Sequence, residues 1–558
     1  MGPDGRFDAF RALADRRGRP GVRLLDALAA AAASAGPREL AAWAPEVARG
    51  FGLPAAAGLG PAGYYADLAV PHAARHVRVC TAAACFAADG GRHLAQVEEV
   101  LGVTADDAHP GPEVSLQTVR CLGYCYAGPA CLDGDTPLAG PDLAGRLRGR
   151  APSRDPAIPA ADTTGDPVVL AGIVAGEAAW QVWSRTVRTG APERVRAEVA
   201  AAGLRGRGGA GFPVAAKWAA AGGAPGTVVV ANGDEGDPGS YADRLLMERD
   251  PGRVLEGLAL ACFACHASTG VVLVRSEYPR ALARMREAAS LAYADGHLGR
   301  DVHGSGTDLE VHIVAGAGSY IAGEETALIS GLEGARGCAH PRPPYPTEHG
   351  LWDAPTVVNN VETLAAVPWI VWRGGAAYAR RGTPGETGTK LVCLSELFAR
   401  PGCYEVELGT PVSRIVDELG GRLRDGAALA VLQVGGPLGG FLGPGELDVP
   451  LTEAALAARG AALGHAGLVA FDHRVAPVDV LRHVWEFAAA ESCGACSPCR
   501  VGSRRGLSLV SRGEAGEPYA RLLRVMEEAS LCAFGRRVPP AVRSLARAYG
   551  DALPGWAR

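Results

Sequence analysis

Apolar residues recur at helical spacing through the first part of the chain. Leu24, Leu25 and Leu28, then Trp43, Val47 and Phe51, predict a small helical bundle over residues 1–72. From residue 73 the pattern changes. A strand-like run over 76–80, a helical run over 91–101, another strand and a second cysteine pair give the alternation of a small α/β module over 73–150. Residues 151–166 carry Pro152, Pro156 and Pro159 without periodicity and read as a linker. Over 167–385, β-branched runs at 227–231, 270–275 and 310–314 alternate with longer helical stretches and predict an α/β layer. Residues 386–452 are strand-rich, with runs at 389–394 and 428–434, and 453–558 are helical in pattern. The fold class is multidomain α/β.

A chain of 558 residues is too long for one core, which agrees with this division. A net charge of −5 and an apolar fraction of 48% describe an ordinary globular surface, with no basic field to attract nucleic acid. The start, MGPDGRFD, lacks the basic and apolar regions of a signal peptide. The most apolar long window, 254–274, is interrupted by Glu256, His266 and Gly270 and reads as helix then strand, not as a membrane span. A reducing cytoplasm is the expected compartment for a chain with 14 cysteines.

Those cysteines carry the chemistry. Cys493, Cys496 and Cys499 lie in ESCGACSPCR, and Cys532 follows in SLCAF. Two C-x2-C steps sharing a cysteine gather three sulfurs into one volume, and a fourth completes the set for a 4Fe-4S cluster. A structural zinc also takes four thiolates, but more often from two separated C-x2-C pairs. Cys80 and Cys85 (C-x4-C) with Cys121 and Cys125 (C-x3-C) supply a second set, suited to a 2Fe-2S cluster. The order of elements around it points to a thioredoxin-like ferredoxin; two structural disulfides are the alternative. Cys262 and Cys265 fall in a run of small apolar residues and read as core, while Cys131, Cys338, Cys393 and Cys403 receive no chemistry.

The α/β region holds GLRGRGGAGFP at 203–213. Gly206, Gly208 and Gly211 satisfy G-x-G-x-x-G, yet a helical pattern precedes them where the dinucleotide fingerprint requires a strand. Side-chain-free backbone can still approach a phosphate, with Arg205, Arg207 and Lys217 supplying charge. NGDEGDPGS at 232–240 follows a predicted strand, placing Asn232, Asp234, Glu235 and Asp237 where open α/β sheets bind ligands. GAGSYIAGEET at 316–326 follows another strand and opens a helix, and Asn359 and Asn360 add amides. Carboxylates beside a phosphate are unfavourable, so Asp234, Glu235, Asp237, Glu324 and Glu325 suit ribose hydroxyls, ring nitrogens or a nicotinamide.

The runs GLRGRGGAGFP, NGDEGDPGS, GAGSYIAGEETALISGLEG, PTVVNNVETLA and ESCGACSPCR, in this order, resemble the flavin-bearing NADH-oxidising subunit of respiratory complex I. They are similar also to the diaphorase subunits of NAD-reducing hydrogenases and formate dehydrogenases. Residues 10–150 resemble the companion subunit that carries a thioredoxin-like 2Fe-2S domain, here fused ahead of the flavoprotein. The resemblance implies a helical bundle and ferredoxin domain, an FMN-binding α/β domain, a ubiquitin-like (β-grasp) insert at 386–452, and a C-terminal helical bundle holding the 4Fe-4S cluster. It implies FMN cradled by Gly206, Gly208, Lys217, Asn232, Asp234, Glu324, Glu325, Asn359 and Asn360. Arg207, Gly209, Glu235, Tyr320, Gly323, Val358 and Thr363 complete the cofactor wall, NAD(H) stacks near Phe212, Asp237 and Tyr345, and Glu325 and Asp237 take catalytic roles.

The implied reaction moves a hydride between nicotinamide and flavin, and single electrons between flavin and clusters. The implied partner is a further iron-sulfur subunit of a hydrogenase, formate dehydrogenase or complex I-like assembly. Location would be cytoplasmic, peripheral to the inner membrane only through partners. The chain departs from the family pattern at Ala339, His340 and Pro341, and Asp237 stands where complex I commonly has Glu. An electron relay that has lost NAD binding is the alternative this departure raises; a zinc-binding scaffold is the other.

Overall fold

The computed structural model describes residues 20–35, 39–149 and 156–557. Residues 1–19 of the expected bundle and 151–155 of the expected linker lie outside the described residues. The helices Val22–Ala35, Leu40–Gly50, Ala55–Ala62 and Ala66–Ala69 enclose Leu24, Leu25, Leu28, Trp43 and Tyr65. Val47 and Phe51 lie at the margin of that core. The helices dock on the α/β region, with the Tyr64 hydroxyl reaching Ser319 Oγ at 3.0 Å and the Gly337 carbonyl at 2.5 Å.

The next module is a four-stranded sheet in the order Val114–Val119, Arg75–Cys80, Ala130–Asp133, Thr136–Ala139. The first pair is parallel and the others antiparallel. The α/β region is built on four parallel strands, Glu310–Ala315, Thr269–Val274, Val228–Gly233 and Thr356–Asn360. Helices cover the sheet, and Thr269–Val274 is buried along its whole length, which explains its unbroken apolar run. Register places Asn232 beside Asn360 and Ala231 beside Asn359, so these amides share one end of the sheet.

The strand-rich region is a mixed six-stranded sheet whose order departs from the expected boundaries at both sides. Gly467–Asp472, expected in the helical region, sits between Leu429–Val434 and Thr389–Leu394. Its continuous apolar sequence, GLVAFD, fits buried helix or buried strand equally well on periodicity. Ala161–Thr163, inside the expected linker, pairs in parallel with Gly402–Glu407 and forms the sheet's edge. Three residues are too few to show alternation. What pins the following segment is Glu405, buried, whose carboxylate accepts from the amides of Val168, Val169 and Leu170 and from Thr389 Oγ1. Four helices, Pro477–Glu491, Ser497–Ser511, Glu517–Ala529 and Ala533–Tyr549, close the chain. Gly506 lets the first two approach, since a Cβ there would lie 2.3 Å from the Trp485 ring. Among the described residues no helix is long and apolar enough to cross a membrane.

The α/β and mixed sheets are joined by a buried ion pair between Lys390 and Glu362, whose side chains are 0% and 1% exposed. Glu362 also accepts from the Leu391 amide at 2.9 Å. Lys390→Met strands that carboxylate and should destabilise the fold by about 3–5 kcal/mol in denaturant titrations, whereas adding Glu362→Gln should recover most of the loss.

Candidate functional site

The acid loop leaves the C-terminal end of Val228–Gly233 and is anchored at Glu235. That carboxylate is fully buried, accepting at Oε1 from Ser240 Oγ (2.5 Å) and the Asp243 amide (3.1 Å), and at Oε2 from the Arg244 amide (3.0 Å). It thus caps the helix Ala242–Arg249, where a carboxylate is favoured by the exposed N–H groups. Here the structure corrects the expectation that Glu235 faces a cofactor: its oxygens serve the loop.

The other acids of the loop remain available. Asn232 holds the Gly323 carbonyl through Nδ2 (2.8 Å) and the Asp234 amide through Oδ1 (3.1 Å). Asp234 Oδ2 is sequestered from solvent with no hydrogen-bond partner, and burial pushes this carboxyl up to about 8. A buried polar atom without a partner is expensive, and at this position it fits a donor on a bound ring. Asp237 accepts from the Tyr320 hydroxyl at 2.5 Å and faces His465 Nε2 at 3.5 Å.

The glycine loop follows the helix Pro192–Ala202, which ends at left-handed Gly203. The Gly206 amide bonds the Phe212 carbonyl (2.9 Å) and the Arg207 amide bonds Thr363 Oγ1 (2.8 Å). A Cβ on Gly208 would lie 2.9 Å from Asn360 Cβ, so only glycine lets the loop pass there, and Gly209 turns with φ +108°. Arg207 departs from expectation. Its buried guanidinium points into the protein, donating to Tyr378 Oη (2.9 Å) and the Thr387 carbonyl (2.7 Å).

Lys217 donates to Glu325 Oε2 (2.8 Å) and the Val358 carbonyl (3.1 Å). Burial opposes ionisation of Glu325, but Lys217 and Arg342 outweigh it and hold the carboxyl below its ordinary range. Glu324 caps the helix Glu325–Leu332 and pairs with Arg342 at 3.2 Å. Asn359 is buried, its Oδ1 accepting from Trp218 Nε1 (2.8 Å), and Asn360 caps Val361–Arg373. Phe212 and Tyr345 are each 52% exposed, with Lys217 Nζ 6.0 Å from the Phe212 ring, and exposed aromatic rings suit stacking.

Two thiol sets flank this pocket. Cys80, Cys85, Cys121 and Cys125 are all buried and unbridged, with Cys121 Sγ 3.6 Å from Cys125 Sγ. The Gly239 amide of the acid loop donates to Cys125 Sγ at 3.3 Å. Cys493, Cys496, Cys499 and Cys532 line one cavity with Ile321, Ala339 and Phe534. Ser492 Oγ lies 3.2 Å from Cys499 Sγ, and the Leu531 amide donates to Cys496 Sγ at 3.5 Å. Four sulfurs lining one cavity, with an N–H and an O–H close to them, fit a 4Fe-4S cluster at the second place, and four buried, unbridged thiols with backbone N–H donors at Cys121 and Cys125 fit a 2Fe-2S cluster at the first. Tyr320 leans between them and the acid loop, its ring 5.1 Å from Phe487 and 5.6 Å from Phe534.

Sequence reasoning missed two residues here. Cys338, given no chemistry, places its thiol 3.5 Å from the Cys493 carbonyl. His465, in the turn before Gly467–Asp472, reaches the acid loop. Cys262 and Cys265 are buried in the helix Pro251–Ala264 and at its end, as expected for core.

Three family models match the chain: a thioredoxin-like [2Fe-2S] ferredoxin over residues 19–138, a Nuo51 FMN-binding domain over 199–369, and an NADH-ubiquinone oxidoreductase-F iron-sulfur binding region over 479–554. An NADH-quinone oxidoreductase subunit of Rhizobium meliloti (strain 1021) is 42% identical over 58% of this chain and 78% of its own length. NADP-reducing hydrogenase subunit HndC of Solidesulfovibrio fructosivorans is 38% identical over 64% of this chain and 75% of its own. A chain of the NAD+-reducing [NiFe]-hydrogenase, solved in the air-oxidized state, superposes with a TM-score of 0.84 at 30% identity. It covers 98% of this chain, and 95% of that chain is matched.

Two outcomes are expected. A carboxyl raised above its unfolded value costs native stability as pH climbs from ~4, because the unfolded chain sheds the proton first. For Asp234 that loss runs up to about 8. Asp234→Asn should therefore stabilise the flavin-free chain increasingly from pH 5 to pH 8 in denaturant titrations, while weakening flavin retention. Cys496→Ser should abolish the 4Fe-4S spectrum and spare flavin and 2Fe-2S signals; an unchanged cluster would show that the four-cysteine set is wrong.

Proposed function

Because the chain belongs to the family that unites these NADH-quinone oxidoreductase subunits with the NAD(P)-reducing hydrogenase subunits, we propose a specific division of labour among its site residues. The chain is an NADH oxidoreductase subunit with FMN, 2Fe-2S and 4Fe-4S domains. The flavin, when bound, couples two-electron exchange with the nicotinamide to one-electron exchange with the clusters.

The glycine loop, with the amides of Gly208 and Gly209 and the close approach that Gly206 allows, and the Lys217 ammonium would hold the flavin phosphate and ribityl chain. Lys217 is kept aimed by Glu325 and the Val358 carbonyl. Asn232, Asp234, Gly323, Asn359, Asn360 and Thr363 would line the ring; Asp234 Oδ2, sequestered and without a partner, is the acceptor most in need of a ligand donor. Phe212 and Tyr345 offer stacking faces to the dinucleotide, with Asp237 and Glu325 as acceptors for its amide and hydroxyls. The observation that carries this reading is the acid loop itself, which serves the pocket through Asn232, Asp234 and Asp237 and the first thiol set through Gly239.

The segment 338–345, which departs from the family pattern, supports dinucleotide binding. Arg342 pairs with both Glu324 and Glu325, and Tyr345 stays open beside it. The partner we infer is a further iron-sulfur subunit of a hydrogenase-type assembly. Its support is that the hydrogenase chain superposes on 98% of this one, fused ferredoxin included. Electrons would leave or enter beside Cys496, the least buried of the four helical-domain ligands.

Anaerobic titration of the flavin- and cluster-loaded chain with NADH tests the reading: the flavin's visible band should bleach at stoichiometric NADH. A flavin that dithionite reduces but NADH does not would favour a relay. Asp237→Ala should raise the KM for NADH about tenfold, roughly 1.4 kcal/mol, with flavin content intact; loss of flavin alongside would assign Asp237 to the fold.

A further inference from the structure

The mixed sheet meets the acid loop at His465. This residue precedes the strand Gly467–Asp472, in a turn where Gly464 (φ +50°) and Ala466 (φ +56°) take left-handed backbone. The turn is pressed hard against its neighbours. A Cβ on Gly464 would lie 2.3 Å from the Gly435 carbonyl oxygen, and one on Gly436 would come within 3.1 Å of the Asp237 carboxylate. The same packing brings the imidazole of His465 to the pocket, Nε2 3.5 Å from Asp237 Oδ2, opposite the bond from Tyr320 to Oδ1.

His465 also lies with Glu235 and Asp243 in a group whose ligand atoms fall within 4.8 Å of one another. Those two carboxylates already have donors. Glu235 takes Ser240 and two backbone amides, and Asp243 takes Asn360 Nδ2 and the Glu362 amide. The fixed cations nearby are committed as well: Lys390 to Glu362, Arg244 to Glu248 and Arg275 to Glu277. Asp237 is left facing the imidazole.

We propose that His465 is a positioning residue for dinucleotide binding, holding the Asp237 carboxylate toward the pocket between its own ring and the Tyr320 hydroxyl. The proposal rests on the reading of Asp237 as the dinucleotide-side acid. The physical need is clear: an unsupported carboxylate can turn away, whereas one bonded by Tyr320 at one oxygen and faced by the imidazole at the other presents a fixed acceptor.

The test compares His465→Ala, His465→Leu and His465→Gln in the flavin- and cluster-loaded full chain. NADH affinity is read by flavin bleaching, and KM and kcat with an artificial acceptor. Ala and Leu should raise the KM and dissociation constant of NADH about tenfold with kcat within about twofold, and Gln, which keeps a donor, should return to within about threefold of wild type. Leu restoring affinity as well as Gln would reduce the imidazole to a space-filler and overturn the proposal, as would an unchanged KM in Ala. A wild-type flavin that ignores NADH would instead overturn the dinucleotide reading beneath it.

Discussion

The buried carboxylate of Glu235 is the constraint on which the rest of the centre depends. Burying a charge is costly unless it is fully hydrogen-bonded, and Glu235 meets that condition only with the loop folded back on Ala242–Arg249, so that Ser240 and two amides reach it. Arg275 fixes the same turn from outside by donating to the Glu235 carbonyl at 2.5 Å, itself paired with Glu277. With one residue held this firmly, its neighbours have little freedom. Asn232 holds the Gly323 carbonyl and the Asp234 amide, Asp237 faces Tyr320 and His465, and Gly239 donates to Cys125. One loop of nine residues, 232–240, therefore reaches the first thiol set and, through Tyr320, the aromatic rings beside the second.

Much of this was legible in the sequence, for reasons that differ by element. The parallel strands announced themselves because burial on both faces demands unbroken β-branched runs. The helical-domain cysteines were legible because three ligands come from one short segment, so spacing alone implies proximity. The glycine loop was correctly separated from an ordinary dinucleotide fingerprint, since a helix, Pro192–Ala202, precedes it. What escaped was whatever depends on distant pairing. Gly467–Asp472 reads the same as buried helix until its neighbours are known, and Ala161–Thr163 becomes a strand only because Gly402–Glu407 lies beside it. The roles of Glu235 and Arg207 were misjudged for a related reason: composition puts a charged residue near a pocket but does not say which way its side chain turns. Cys338 and His465 had no local pattern to mark them, and only the packing of separate domains gives them neighbours.

How the ferredoxin module is held has a consequence for electron transfer. Its contact with the α/β region combines a continuous apolar core with buried polar groups whose bonds are satisfied. Arg244, nearly fully buried, donates to the Gly123 carbonyl at 2.8 Å, lies 3.9 Å over the Tyr124 ring and pairs with Glu248. Gly123 must be glycine there, because φ is +72° and a Cβ would lie 2.6 Å from the Tyr278 ring. A greasy interface tolerates sliding, since one apolar contact replaces another at little cost. The polar bonds resist it: rotating the module would take the Gly123 carbonyl and the Tyr124 ring from Arg244, which keeps Glu248 of its own helix, and would break the Gly239–Cys125 contact. The cysteine loop is thereby fixed against the acid loop. A fixed position is what a centre that passes single electrons requires, and the chain secures that of the first thiol set by polar bonds to the acid loop and to the helix it leads into.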